Sequence, residues 1–188
     1  MALLASPSAA ATLIAPAALV AHQQDLPGFA GAKSWLDSTT SASVFARDLD
    51  DSWSEAESEA AYLRHEGFRE GVEEGFHSAR REGVSVAFVF GSPRAAEHEL
   101  VSSTAQDVKE FDKLTLQRFT VRGVPGSVGL GSFLQRKHAV VADVLFSTGR
   151  CFLVIGSFVR NARSSAQGTS APIAGAQTLY KRTRGLCA

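Results

Sequence analysis

The chain has 188 residues, 45% of them hydrophobic and 20% charged, which supplies one core of ordinary size. Its 19 basic and 19 acidic side chains cancel, so no global field draws it to nucleic acid or to an anionic membrane. The charge is segregated all the same. Residues 48–74 hold ten acids and only Arg64 and Arg69 as bases, whereas no acid follows Asp143 and Arg150, Arg160, Arg163, Lys181, Arg182 and Arg184 remain. Six dispersed cations fall short of a phosphate-binding track, and both regions read as solvated surface.

In chain order, residues 1–23 read as a low-complexity Ala/Pro-rich tail, leaving 24–188 as a single α+β domain. Residues 2–21 carry no formal charge, and Pro7 and Pro16 interrupt them. A secretory signal opens with basic residues, and a spanning helix needs about 20 strongly apolar ones. Neither pattern is met, so no transmembrane segment is expected. Pro27-Gly28 marks a turn, residues 29–35 a short first strand, and residues 37–47 a polar connector. Asp51 or Ser52 is suited to cap a helix that starts at Trp53, with Ala56, Ala60 and Leu63 as its apolar stripe.

Gly67, Gly71 and Gly75 then recur at every fourth residue among Phe68, Val72 and Phe76. That spacing suits a helix, but each interior glycine costs about 1 kcal/mol against alanine, and Gly67 is placed as a C′ cap. The expectation is a helix over 53–66 and extended chain over 68–77. Residues 84–90 form a buried strand rich in β-branched and aromatic side chains. A helix follows from Ser92 or Pro93 to about Thr104, then a strand at 119–121 and a turn over 123–129. Gly126 to Gly131 has a superficial likeness to a phosphate-cradling loop, but it lacks the Gly-Lys-Ser/Thr ending and reads as a turn between strands. Residues 139–146 and 151–158 read as a hairpin with a corner at 147–150. Residues 164–171 are a small-residue loop, and 173–183 a last short helix. Strands cluster here instead of alternating with helices, which indicates α+β with an antiparallel sheet and helices packed on one face.

The residues offer no reactive constellation: no catalytic, cofactor-binding or metal site is expected, and no cofactor. His22, His65, His77, His98 and His138 are scattered without metal-ligand spacing. Glu70, Glu73 and Glu74 read as a solvated edge. Asp143 sits in an apolar strand and either faces outward or meets a partner such as Arg150 or Arg160. Cys151 belongs to a run without polar alternation, as in a central strand covered on both faces. With Cys187 it permits one disulfide, which requires the last helix to lie across that strand; read singly, the two are unpaired small hydrophobes, and the sequence leaves the pairing open.

Leu26-Pro27-Gly28-Phe29, Gly67-Phe68-Arg69-Glu70-Gly71, Gly123-Val124-Pro125-Gly126 and residues 144–150 resemble a group of actinobacterial secreted or lipid-anchored proteins related to the PsbP-like α+β sandwich. The likeness spans about residues 24–186. It implies a PsbP-like α/β/α arrangement and an extracytoplasmic, non-catalytic binding or structural domain, secreted or at the cell surface, with an unknown protein or small-molecule ligand as partner. A cytoplasmic location is the alternative. Residues 66–76 are also similar to the glycine repeat of Yae-type adaptors, helical proteins of iron–sulfur and ribosome biogenesis. The third reading is an enzyme with a site on the open sheet face.

Overall fold

A computed structural model describes residues 14–49, 53–111, 116–134 and 138–188. Among these residues, seven strands form one sheet: β1 (Lys33–Thr39), β2 (Phe68–His77), β3 (Arg81–Phe90), β4 (Leu116–Phe119), β5 (Val128–Leu134), β6 (Ala139–Thr148) and β7 (Cys151–Arg160). Their order is β1-β2-β3-β7-β6-β5-β4, and every neighbouring pair is antiparallel. The helices are α1 (Ala42–Leu49), α2 (Trp53–His65), α3 (Pro93–Phe111) and α4 (Ala166–Thr183). The mixed α+β class with an antiparallel sheet is the one the clustering of strands indicates.

Side chains alternate across each strand, and they sort the core into two layers. Val89, Val144, Phe146, Leu153 and Ile155 meet Ala176 and Leu179 of α4. Val86, Phe88, Phe90, Leu145 and Phe152 meet Phe45 of α1, Leu63 of α2 and Ala96 of α3. Helices therefore cover both faces, and not the single face expected, because both sides of the central strands are apolar; the sheet is the middle layer of three.

The glycine repeat resolves as expected. Helix α2 ends at His65, Gly67 takes φ +77°, and β2 begins at Phe68. A positive φ is the conformation glycine adopts without steric cost. The N-cap expected at Asp51 or Ser52 lies outside the described residues. Gly71 and Gly75 are glycines for a different reason, because a Cβ at either position would collide with the ring of Phe45 or Trp35. The repeat is a strand whose small residues admit aromatic rings, so the likeness to helical adaptors does not extend to structure.

Four expectations need correction. Residues 14–23 are not part of a tail: Leu19, Val20 and Ala21 are fully buried, the Ala21 amide donates to Ser85 Oγ at 2.8 Å, and the Arg182 guanidinium donates to the Val20 carbonyl. Three apolar residues carry no period, so only the partners on the sheet and α4 reveal them. The polar connector at 37–47 is instead the end of β1 and most of α1. Strand β1 is an edge whose side chains stay in solvent, and α1 is a two-turn helix seated by Ala42, Phe45 and Ala46. Strand β5 takes in Gly129 and Gly131 from the expected turn. The ring of Phe119, directly opposite Gly129 in the register, occupies the space of its missing side chain. Helix α4 starts seven residues early and absorbs the small-residue loop. Gly168 lets it approach Val140, where a Cβ would collide. Smaller shifts occur elsewhere: the first strand is displaced from 29–35 to 33–39, the strand expected at 84–90 begins at Arg81, α3 runs on to Phe111, and the strand expected at 119–121 lies at Leu116–Phe119.

Cys151 and Cys187 are joined by a disulfide with Cα atoms 5.6 Å apart, and both are completely buried. The reading of two unpaired hydrophobes is thereby set aside, and α4 does lie over β7, delivering Cys187 to the strand's first residue. Next to the bond, β6 and β7 pair up to Thr148 opposite Cys151, so the hairpin corner is two residues, Gly149-Arg150, and not four. The Arg150 amide donates to the Cys187 carbonyl at 2.7 Å. Hairpin turn, disulfide and C-terminal segment thus form one tied corner.

Candidate functional site

Helices α1, α2 and α3 cover only one end of their face of the sheet. At the uncovered end, on the β1 edge, a pocket of about 280 Å³ opens between β1, β2 and α1, lined by Trp35, Asp37, Thr39, Phe45, Asp48 and Glu73 with Gly71 as floor. The strand register builds it. Trp35 lies opposite Gly75, Asp37 opposite Glu73, and Thr39 opposite Gly71, so all six point to one face. Phe45 is placed from α1 by the same turn that buries Ala42 and Ala46, and Asp48 follows one turn later. Trp35 is 53% exposed, a large aromatic surface left open to solvent beside three acids.

The electrostatics of the pocket are one-sided. Asp37 and Glu73 are directly opposed like charges, an arrangement that destabilises a sheet. Among the described residues, no Lys, Arg or His forms an ion pair with Asp37, Asp48 or Glu73. Asp37 Oδ1 instead accepts from the Ser38 amide at 2.8 Å. Burial, then the Asp48 and Asp37 charges, push the Glu73 carboxyl up to about 7. Two rows further along the same face, past Trp35 and Gly75, an acid is neutralised: Glu82 pairs with Arg160 at 2.5 Å.

A raised carboxyl favours the folded state while it is protonated, and that advantage is lost as pH rises from the unfolded value near 4.5 through about 7. Glu73→Gln is therefore expected to raise stability at pH 8 by roughly 1 kcal/mol, a figure kept small because part of the carboxylate is in solvent, and to leave stability at pH 4 unchanged. Thermal melts of the two proteins across pH 4–8 give the comparison; equal curves at pH 8 would show that Glu73 is fully solvated.

The remaining acids of the expected solvated edge divide. Glu70 has its carboxyl raised by burial. Glu74 is 7% exposed and lies on the opposite face, where His22 Nδ1 meets its Oε2 at 2.6 Å. The solvated-edge reading therefore fails for Glu73 and Glu74, because β2 has a neighbour on each side and each of its faces is partly covered. His98 is exposed and reaches Glu66 at 3.2 Å. Asp143 is half-buried and faces the uncovered sheet, close enough to Gly156 that a Cβ there would crowd its carboxylate. Nearby Val84, Val141 and Phe158 make a shallow apolar trough. Between α2 and α3, Glu99 accepts from Ser103 Oγ at 2.5 Å, and its other oxygen is buried beside the Tyr62 hydroxyl, outside hydrogen-bond geometry. Burial raises the pKa of both groups. Glu99 is 4% exposed, whereas Tyr62 is only half-buried.

The fold has a solved counterpart. The extracellular domain of PknH from Mycobacterium tuberculosis matches with a TM-score of 0.54 at 8% identity, covering 92% of this chain and 100% of that one. At that identity the likeness is one of fold alone. No family model and no curated protein matches the sequence. No described helix is long and apolar enough to cross a membrane, and no cluster of three or more His, Cys, Asp or Glu among the described residues is arranged to hold a metal ion.

The pocket residues were invisible as a group in the sequence. Asp37 and Phe45 fall in what reads as a connector, Trp35 at the end of what reads as a short first strand, and Glu73 in what reads as a solvated edge. The one available signal was the acid excess of residues 48–74, which marks the region but not the cavity.

Proposed function

We propose that the protein is an extracytoplasmic, non-catalytic binding domain, PsbP-like in its sandwich, whose ligand occupies the pocket of Trp35, Asp37, Phe45, Asp48 and Glu73. The observation that carries the compartment is the Cys151–Cys187 disulfide, since such bonds form and persist in oxidising surroundings and are rare in reducing cytosol. The extracellular origin of the PknH domain supports the same reading. The pocket supports binding over chemistry: its lining offers carboxylates, hydroxyls and rings but no histidine, lysine or thiol to act as nucleophile or relay.

Cell fractionation with thiol alkylation before lysis tests this reading. The chain is expected outside the cytoplasmic fraction with both cysteines protected. Recovery from the cytoplasm with two alkylated thiols would overturn it. One observation favours the enzymatic alternative, a Glu73 carboxyl near 7 beside two further acids, the pattern of an acid–base pair. That alternative requires turnover that Glu73→Gln abolishes.

A further inference from the structure

We propose that β1 docks an extended basic peptide as an added strand, placing alternate Lys or Arg side chains over the Asp37–Glu73 pocket. The proposal rests on the pocket being the ligand site and names the partner's chemistry.

Three observations lead to it. First, β1 is an edge strand of seven residues, exposed along nearly its whole length. Its outer backbone groups face away from β2, and such a row is a template for strand addition. The opposite edge, β4, has only four residues. Second, the two faces of β1 differ. Trp35, Asp37 and Thr39 border the pocket, whereas Leu36, 47% exposed, sits between Ser34 and Ser38 on the other face. An added strand continues this alternation, so its side chains beside Asp37 reach the pocket and those between them lie beside Leu36. Third, none of the three pocket acids forms an ion pair with a base among the described residues, and beside them stands an exposed indole that attracts a cation to its ring face; Lys33, the base on this face of β1, lies beyond the indole. The matching sequence alternates basic and apolar residues.

Charge complementarity decides the partner. A second copy paired edge to edge would bring two acidic pockets onto one face, and like charges across strands repel. A basic strand relieves the Asp37–Glu73 opposition instead. When the Asp37 carboxylate turns to the incoming cation, the Ser38 amide it now holds becomes available to the backbone.

Isothermal titration of the full chain with a capped peptide of about nine residues alternating Lys and Val tests the proposal. Binding is expected to weaken with added salt and to fall by about tenfold or more in Asp37→Asn/Glu73→Gln, a variant whose fold is checked by its melting curve. The same peptide with alternate backbone amides methylated keeps its charge but cannot pair, and it is expected not to bind. Equal binding of the methylated peptide, of a Glu–Val counterpart, or by the double variant would overturn strand docking. So would cadaverine binding as tightly as the peptide, which would mark a small-amine pocket, or dimerisation of the free protein through β1. Failure here with the chain found outside the cytoplasm leaves the proposed compartment standing; a cytoplasmic chain that binds the peptide does the reverse.

Discussion

Gly149→Val is expected to destabilise the protein by about 2–4 kcal/mol, with Thr148→Ser close to neutral. Two costs act together. Gly149 holds φ +51° at the first position of the two-residue hairpin turn, and a residue with a Cβ loses about 1 kcal/mol or more in that conformation. A Cβ there also runs into the Cys187 carbonyl, which is backbone and already tied by the disulfide and by the Arg150 amide. The C-terminal segment must move, and the hydrogen bond at Arg150, worth about 1 kcal/mol, goes with it. Urea melts decide the matter: an unchanged midpoint for Gly149→Val would mean the turn and its contact with Cys187 are wrongly placed.

Removing the disulfide by replacing Cys151 and Cys187 with alanine is expected to cost about 4–5 kcal/mol. The bond closes a loop with a sequence separation of 36, and the chain entropy withheld from the unfolded state at that length is close to 4 kcal/mol. The variant also leaves two completely buried sites short of sulfur, which adds to the loss. Before any reduction, the native protein should yield no titratable thiol, and after denaturation in reductant it should yield two. A native protein with two accessible thiols, or a double variant with an unshifted urea midpoint, would contradict both the bond and its role.

Local chemistry settled part of this protein from the sequence. Gly67 stops a helix because its backbone must turn left-handed, and that requirement is written in a single residue. The run at 84–90 and the hairpin of β6 and β7 are legible because continuous β-branched and aromatic residues suit only buried strands, and with them came the α+β class. Elements whose residues owe their identity to a distant neighbour were not legible. Gly129 reads as a turn residue, yet it sits in a strand because Phe119 lies over it, and although Gly71 and Gly75 fall in chain expected to be extended, nothing local says that they are glycines to admit Phe45 and Trp35. Leu19, Val20 and Ala21 look like a tail because three residues have no periodicity, and only the sheet and α4 bury them. The pocket belongs to the same class. Asp37 and Glu73 are 36 residues apart in the chain, and it is the register of an edge strand, set by backbone pairing and by the fit of Trp35 over Gly75, that opposes their charges. The tertiary structure decides such features because the side chain's partner, and not its neighbours in sequence, determines whether its charge is solvated or confined.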